Sequence, residues 1–120
     1  MNYIEKQPWG YTSYTASDMI SFNTKRQNVE FITNPFFGRI LFLDGILQST
    51  TSDEYIYHES LVSLGMNNNT KKVLIAGGAE GGVAREVLKW DVEKVIMVDW
   101  EIGIQQEFDY IAQVKRNVVD

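Results

Sequence analysis

The chain has 120 residues, enough for one compact domain in the lower half of the usual size range. Its 16 acidic and 11 basic side chains give a formal net charge of −5, and the basic residues sit in small pairs such as Lys25-Arg26 and Lys71-Lys72. This argues against a nucleic-acid or anionic-membrane surface, which needs clustered Lys and Arg. There is no cysteine and a single histidine, His58, so disulfide frameworks, thiolate nucleophiles, Cys-ligated centres and His-rich metal sites are excluded.

Residues Met1 to Pro8 hold no basic stretch followed by an apolar run, so no signal peptide is read, and no segment reaches the ~18 apolar residues of a membrane span. A cytoplasmic chain is expected. The first half reads as antiparallel β. Ile20 and Phe22 alternate with polar neighbours, as do Val29 and Phe31, a period of two. Asn34-Pro35 opens a turn that Gly38 can close. A strand follows over 39–43, and Asp44-Gly45 suits a type I′ hairpin because both positions tolerate positive φ. The return strand is expected over 46–49. The aromatic series Tyr11, Tyr14, Phe22, Phe31, Phe36 and Phe37 reads as β-domain core or subunit contact. Thr51-Ser-Asp-Glu54 has capping-box spacing, with Thr51 as the cap. Behind it Tyr57, Leu61 and Leu64 predict the apolar face of a helix running to about Ser63 and stopped by Gly65.

A polar connector over 66–72 separates this half from two aliphatic runs, Val73 to Ala76 and Val95 to Val98. Continuous apolar runs predict parallel strands covered on both faces. Between them Val83, Ala84, Val87 and Leu88 mark one helix face, giving β-α-β over 73–98. Ile104, Phe108, Ile111 and Val118 predict a last amphipathic helix.

The turn Gly77-Gly-Ala-Glu-Gly-Gly82 between strand and helix lets backbone approach a ligand and directs N–H groups at the helix start. Asp99 ends the second strand 22 residues after Gly77, near the ~20 expected where an acid binds a ribose. The dinucleotide pattern G-x-G-x-x-G is not met, and Glu80 would oppose a pyrophosphate. An adenosyl ligand with a cationic appendage fits better than NAD or FAD. A tight βα turn without a ligand is the alternative. Glu54 and His58 at i, i+4 supply only two metal ligands, so no metal site is read.

Three segments in this order resemble the spermidine synthase (polyamine aminopropyltransferase) family. Phe37-Gly-Arg-Ile-Leu-Phe-Leu-Asp-Gly-Ile-Leu-Gln48 is similar to its N-terminal hairpin. Asp53-Glu-Tyr-Ile-Tyr-His-Glu59 is similar to its D-E-x-x-Y-H-E segment, and Val73 to Leu88 to its G-G-G-D-G-G loop and following helix. The resemblance implies an α/β chain. A small antiparallel β domain over 1–52 would serve oligomerisation, followed over 53–120 by the first β-α-β portion of a Rossmann-like domain of the S-adenosylmethionine methyltransferase type.

It also implies transfer of an aminopropyl group from decarboxylated S-adenosylmethionine to a diamine such as putrescine, with no cofactor. By motif position Gln27, Asp99, Gly77, Gly78 and Gly81 would hold the nucleoside. His58, Glu80, Tyr57 and Gln48 would line the polyamine and aminopropyl site. Read from the residues alone, Tyr57 is equally a core residue, His58 a surface or hydrogen-bonded helix residue, and Gln27 a polar strand position. Glu80 stands where the family has Asp, Ala79 where it has Gly, and Asp99 where it has Glu. The D-[SA]-[ST]-D-P motif that carries the family's base is not among these residues, so no catalytic residue is assigned. The strand over 73–76 would have one parallel neighbour. The chain is therefore expected either to be part of a longer product or to need a partner on that edge. It would be a homo-oligomer or a non-catalytic partner of a longer synthase; a methyltransferase fragment is the other alternative.

Overall fold

The structure is a computed structural model that describes residues 1–78 and 80–99 and the backbone of 118–119. The chain divides into two compact units, Met1–Glu54 and Tyr55–Asp120.

The first unit is all antiparallel β. Strands β1 (Asn2–Gln7) and β2 (Gly10–Thr15) form a hairpin that pairs Tyr3 with Tyr14 and Gln7 with Gly10. Strands β3 (Asp18–Asn23), β4 (Asn28–Asn34), β5 (Gly38–Leu43) and β6 (Ile46–Thr50) follow as a meander in that spatial order. The turn chemistry read from the sequence is present. The Asn34 carboxamide oxygen accepts the N–H groups of Phe36 and Phe37 at 2.8 and 2.9 Å, bending the chain between β4 and β5. Asp44 (φ 51°) and Gly45 (φ 76°) form a two-residue loop with the signs of a type I′ turn, and Leu43 pairs with Ile46.

The core of this unit is built by Ala16, Ile32, Ile40 and Phe42, with Tyr3, Tyr14 and Phe37 packed against it. The Tyr3 ring stacks on Phe42 with centroids 4.1 Å apart. Val29, Phe31 and Leu41 are fully buried; the Arg39 guanidinium lies over the Phe31 ring, 5.5 Å from its centroid. Of the aromatic series, Phe31, Tyr14 and Phe37 serve the core, whereas Tyr11 and Phe36 are exposed. The phenols reach carboxylates: Tyr3 donates to Glu30 at 2.8 Å and Tyr14 to Glu5 at 3.0 Å. Burial, reinforced by these bonds, raises both phenols above their ordinary value. The buried Glu5 carboxylate also accepts the Leu47 N–H at 2.8 Å, joining β1 to β6.

The second unit contains most of helix α1 (Glu54–Gly65), then β7 (Lys72–Ala76), α2 (Gly82–Val87), β8 (Lys94–Val98) and β9 (Val118–Val119). The three strands are parallel in the order β7-β8-β9, so β7 has one strand neighbour among the described residues. The β-α-β expectation over 73–98 holds.

Four details differ from expectation. Thr51 is not the helix cap: its hydroxyl accepts the Arg39 N–H at 2.9 Å, which fastens the end of β6 to β5, and α1 starts at Glu54. The buried positions of α1 are Glu54, His58 and Val62, not Tyr57, Leu61 and Leu64. Leu64 is 89% exposed, and Tyr57 and Leu61 wall an open cleft instead of a packed core. Among the described residues the strands are unevenly covered: Ile75, Val95 and Met97 are buried while Leu74 and Val98 are exposed. Val118 lies in a strand paired with Val95, not in a helix; the rest of the expected helix, Ile104, Phe108 and Ile111, lies outside the described residues.

Removing the Glu5 carboxylate leaves the Leu47 N–H and the Tyr14 hydroxyl without that acceptor. Glu5→Ala is expected to cost about 1–3 kcal/mol, read as a lower urea midpoint at unchanged m value. Glu5→Gln, which keeps one acceptor oxygen, is expected to recover part of the loss. A wild-type midpoint for Glu5→Ala would show that this network does not hold the hairpin to the sheet.

Candidate functional site

The loop after β7 turns through three left-handed glycines, Gly77 (φ 88°), Gly78 (φ 81°) and Gly81 (φ 89°). A side chain there costs roughly 1–2 kcal/mol per residue in conformational strain. These are the three glycines singled out from the sequence. The loop is pinned at both ends. The Gly77 N–H donates to the Val98 carbonyl at 2.8 Å, and the Gly81 N–H to the Gly78 carbonyl at 2.9 Å; the Gly81 carbonyl then accepts the Arg85 N–H, opening α2. The first of these bonds brings the end of β8, and Asp99 beyond it, beside the loop. A Cβ placed on Gly77 would lie 3.8 Å from Asp99 Oδ2, ordinary van der Waals contact. Loop and acid thus meet at the carboxyl ends of adjacent parallel strands, where open α/β sheets place ligands.

An open cleft of about 500 Å³ borders the loop. Tyr57, His58, Gly78 and Glu80 line it, and Leu61, Val62, Leu74 and Val83 contribute apolar wall. His58 is 7% exposed and meets the Tyr57 ring edge to face, with centroids 5.3 Å apart. The surface reading of His58 is therefore overturned, because α1 turns this residue inward. Tyr57 is 65% exposed, which removes its core reading. Gln27 and Gln48 belong to the first unit and are described within it. Gln27 lies in the turn between β3 and β4, not in a strand, and its carbonyl accepts the Thr24 hydroxyl at 3.1 Å. Gln48 is exposed on β6 and donates to the Ile46 carbonyl at 3.2 Å. Ala79 lies outside the described residues.

Sequence reasoning passed over two residues here. Gly82 is not at positive φ, yet a Cβ on it would collide with the His58 ring. The available signal was a glycine at the start of a helix, where propensity disfavours it and close packing is the usual reason. The second is Glu86, 4% exposed on α2. It accepts from Arg85 Nε at 2.7 Å and Lys89 Nζ at 2.8 Å, and Lys89 also lies 3.8 Å from Glu59 of α1. Burial alone would raise the Glu86 carboxyl, but the hydrogen bonds from Lys89 and Arg85 outweigh it and hold it below its usual value. No cluster of three or more potential metal ligands occurs among the described residues, and none of their helices is long and apolar enough to cross a membrane.

A small antiparallel β unit followed by a parallel β-α-β unit with a glycine loop defines an α/β protein of the Rossmann-like, methyltransferase type. Comparisons narrow the class. Residues 54–113 match the model of the spermine/spermidine synthase domain. A polyamine aminopropyltransferase of Synechococcus sp. (strain JA-2-3B'a(2-13)) is 42% identical over 100 residues, covering 77% of this chain and 32% of the relative. That of Caldicellulosiruptor bescii is 41% identical over 110 residues, 88% of this chain and 39% of the relative. The crystal structure of spermidine synthase from Thermotoga maritima superposes with a TM-score of 0.83 at 34% identity, over 99% of this chain and 46% of that one. A spermidine synthase in complex with the transition-state analogue AdoDATO matches equally well. The chain belongs to the spermine/spermidine synthase family, and it spans between about a third and a half of the length of these relatives.

The lowered Glu86 pKa sets a sign for pH dependence. Its contribution to stability is present above the ordinary carboxylate value of 4.5 and is lost as pH falls through the lower folded-state value. Wild type is therefore expected to lose thermal stability below about pH 4.5, and Glu86→Gln to show a shallower acid limb. Parallel acid limbs in the two proteins would remove Glu86 from that role.

Proposed function

We propose that this chain carries donor- and amine-binding parts of a polyamine aminopropyltransferase, which moves an aminopropyl group from decarboxylated S-adenosylmethionine to a diamine such as putrescine. The observation that carries the reading is the Asp99 carboxylate set beside Gly77 in the glycine loop, in a chain of this family. Asp99 would accept hydrogen bonds from the ribose hydroxyls. Gly77, Gly78 and Gly81 would let the backbone close on the ligand. Glu80 and His58 would face the aminopropyl and amine groups, with Tyr57 as a wall. A carboxylate pairs with ammonium, and an aromatic face tolerates a cation.

In the reaction the neutral amine nitrogen attacks the propyl carbon bonded to the sulfonium. A C–N bond forms, the C–S bond breaks, its electron pair returns to sulfur, and methylthioadenosine leaves. The sulfonium is already an activated leaving group, so the reading calls for no metal or cofactor. The nitrogen's proton passes to a base that we assign to no residue here. The β unit would carry self-association, as in the family. A second reading, a non-catalytic partner of a longer synthase, is favoured by the open face of β7, where Leu74 is 68% exposed. Co-purification with a full-length synthase whose turnover it alters, with none of its own, would install that reading.

Calorimetric titration tests the primary reading. Methylthioadenosine is expected to bind, and Asp99→Ala to weaken it by about ten- to a hundredfold, the loss of charge-assisted bonds to two hydroxyls. Equal binding by the variant would remove the ribose role. The decarboxylated donor is expected to bind more tightly than S-adenosylmethionine, whose carboxylate meets Glu80; the reverse order would favour a methyltransferase.

A further inference from the structure

The imidazole of His58 rests against a residue that has no side chain. Gly82 is buried at the first position of α2, and a Cβ there would overlap His58 Nδ1 and Cε1 and lie 2.9 Å from Cγ. Carbon atoms at their optimum separation stand roughly 3.5–4.0 Å apart. The ring therefore occupies the volume that any other residue at position 82 would fill. Backbone geometry does not demand glycine here, because Gly82, unlike the three glycines before it, is not at positive φ. Helix propensity disfavours it, since alanine is better in a helix by about 1 kcal/mol. What glycine provides at this position is room for the imidazole.

The same contact fixes which part of the ring faces α2. The Nδ1 side lies against Gly82, leaving Nε2 and Cδ2 as the ring atoms farther from it. His58 is seated deep and still lines the cleft with Tyr57 and Glu80. A shift of the ring outward would change the shape of the cleft it lines. The segment that would have to yield is itself held, because Lys89, two residues beyond α2, lies within 4 Å of Glu59 on α1 as well as bonding Glu86.

We propose that Gly82 is a positioning residue: by leaving its Cβ volume empty it sets the depth and orientation of His58, and so how well the cleft holds the amine end of the substrate. The consequence for amine binding rests on the aminopropyltransferase reading above; the placement of the ring does not.

The chain's single histidine makes the test direct, because its imidazole Hε1 resonance needs no assignment. In Gly82→Ala that resonance is expected to move in the free protein, and putrescine affinity in the presence of methylthioadenosine to fall about tenfold. Methylthioadenosine affinity alone is expected to stay within about twofold. Removing the ring should relieve the collision, so Gly82→Ala is expected to lower the melting temperature in the wild-type background and much less in the His58→Ala background. An unmoved Hε1 resonance, or an equal loss of melting temperature in both backgrounds, overturns the positioning role. If Gly82→Ala does not fold, the double variant decides: its folding supports the proposal, and its failure overturns it. If the wild-type resonance does not respond to putrescine, the placement of His58 in an amine site is overturned. A shift caused by Gly82→Ala in the free protein would then still stand as evidence for the packing.

Discussion

Every feature of the candidate site depends on four positions, Gly77, Gly78, Gly81 and Gly82, that carry no Cβ. Three act through the backbone: their φ angles of 81–89° turn β7 into α2 within the space of the loop, a route open to other residues only at a cost. The fourth acts through volume, since His58 occupies the space beside Gly82. One segment therefore meets two constraints, left-handed turning and close approach. It does so between a strand edge and a helix whose positions are fixed independently. The hydrogen bond from Gly77 to Val98 locks the first, and the Glu86, Lys89 and Glu59 chain ties the second to α1.

Carboxylates divide in this molecule by what surrounds them. Glu5 is buried and accepts from β2 and β6, which holds β1 to β6; Glu86 is buried and accepts from Arg85 and Lys89 of its own segment, and Lys89 in turn reaches Glu59 of α1. Glu80 lines an open cleft and Asp99 stands beside a glycine turn, where a bound molecule can reach them. Charge buried among its donors is scaffold; charge at the border of a cleft stands where ligands bind. By that criterion the buried Glu86 is no substrate group.

The strands and turns of the β unit were legible because turn chemistry is local. The Asn34 oxygen bends the chain at Phe36 and Phe37, two and three residues on, and Asp44-Gly45 turns the chain through its own positive φ angles. The β1–β2 hairpin was not read because its inward residues are Tyr3, Glu5 and Tyr14, polar-tipped side chains that blur the alternation on which strand reading depends. The loop glycines and the distal acid were legible from spacing. The burial of α1 was misread by one position for a tertiary reason: its inward row is Glu54, His58 and Val62, two of them ionisable, while the apolar row borders a cleft. Hydrophobic periodicity finds the apolar face of a helix, and that is the core face only when a core lies opposite it. Gly82 and Glu86 were passed over for a related reason, since the α1 residues they engage, His58 directly and Glu59 through Lys89, are brought near by the fold and not by the neighbouring sequence.

Relative to the family pattern, the loop acid is longer by one methylene at Glu80 and the strand-end acid shorter by one at Asp99. Each change alone would move a carboxylate by roughly 1.5 Å, the length of one C–C bond, about half a hydrogen-bond distance. The shorter acid lies beside Gly77, where the backbone can approach it without a side chain between them. The longer acid lies on a cleft also lined by Tyr57 and His58, which α1 carries and, for His58, the gap at Gly82 accommodates. A ligand reaching both acids would therefore sit displaced toward the Asp99 side by up to about one C–C bond length. The wall that must tolerate that displacement is the one whose position depends on a glycine.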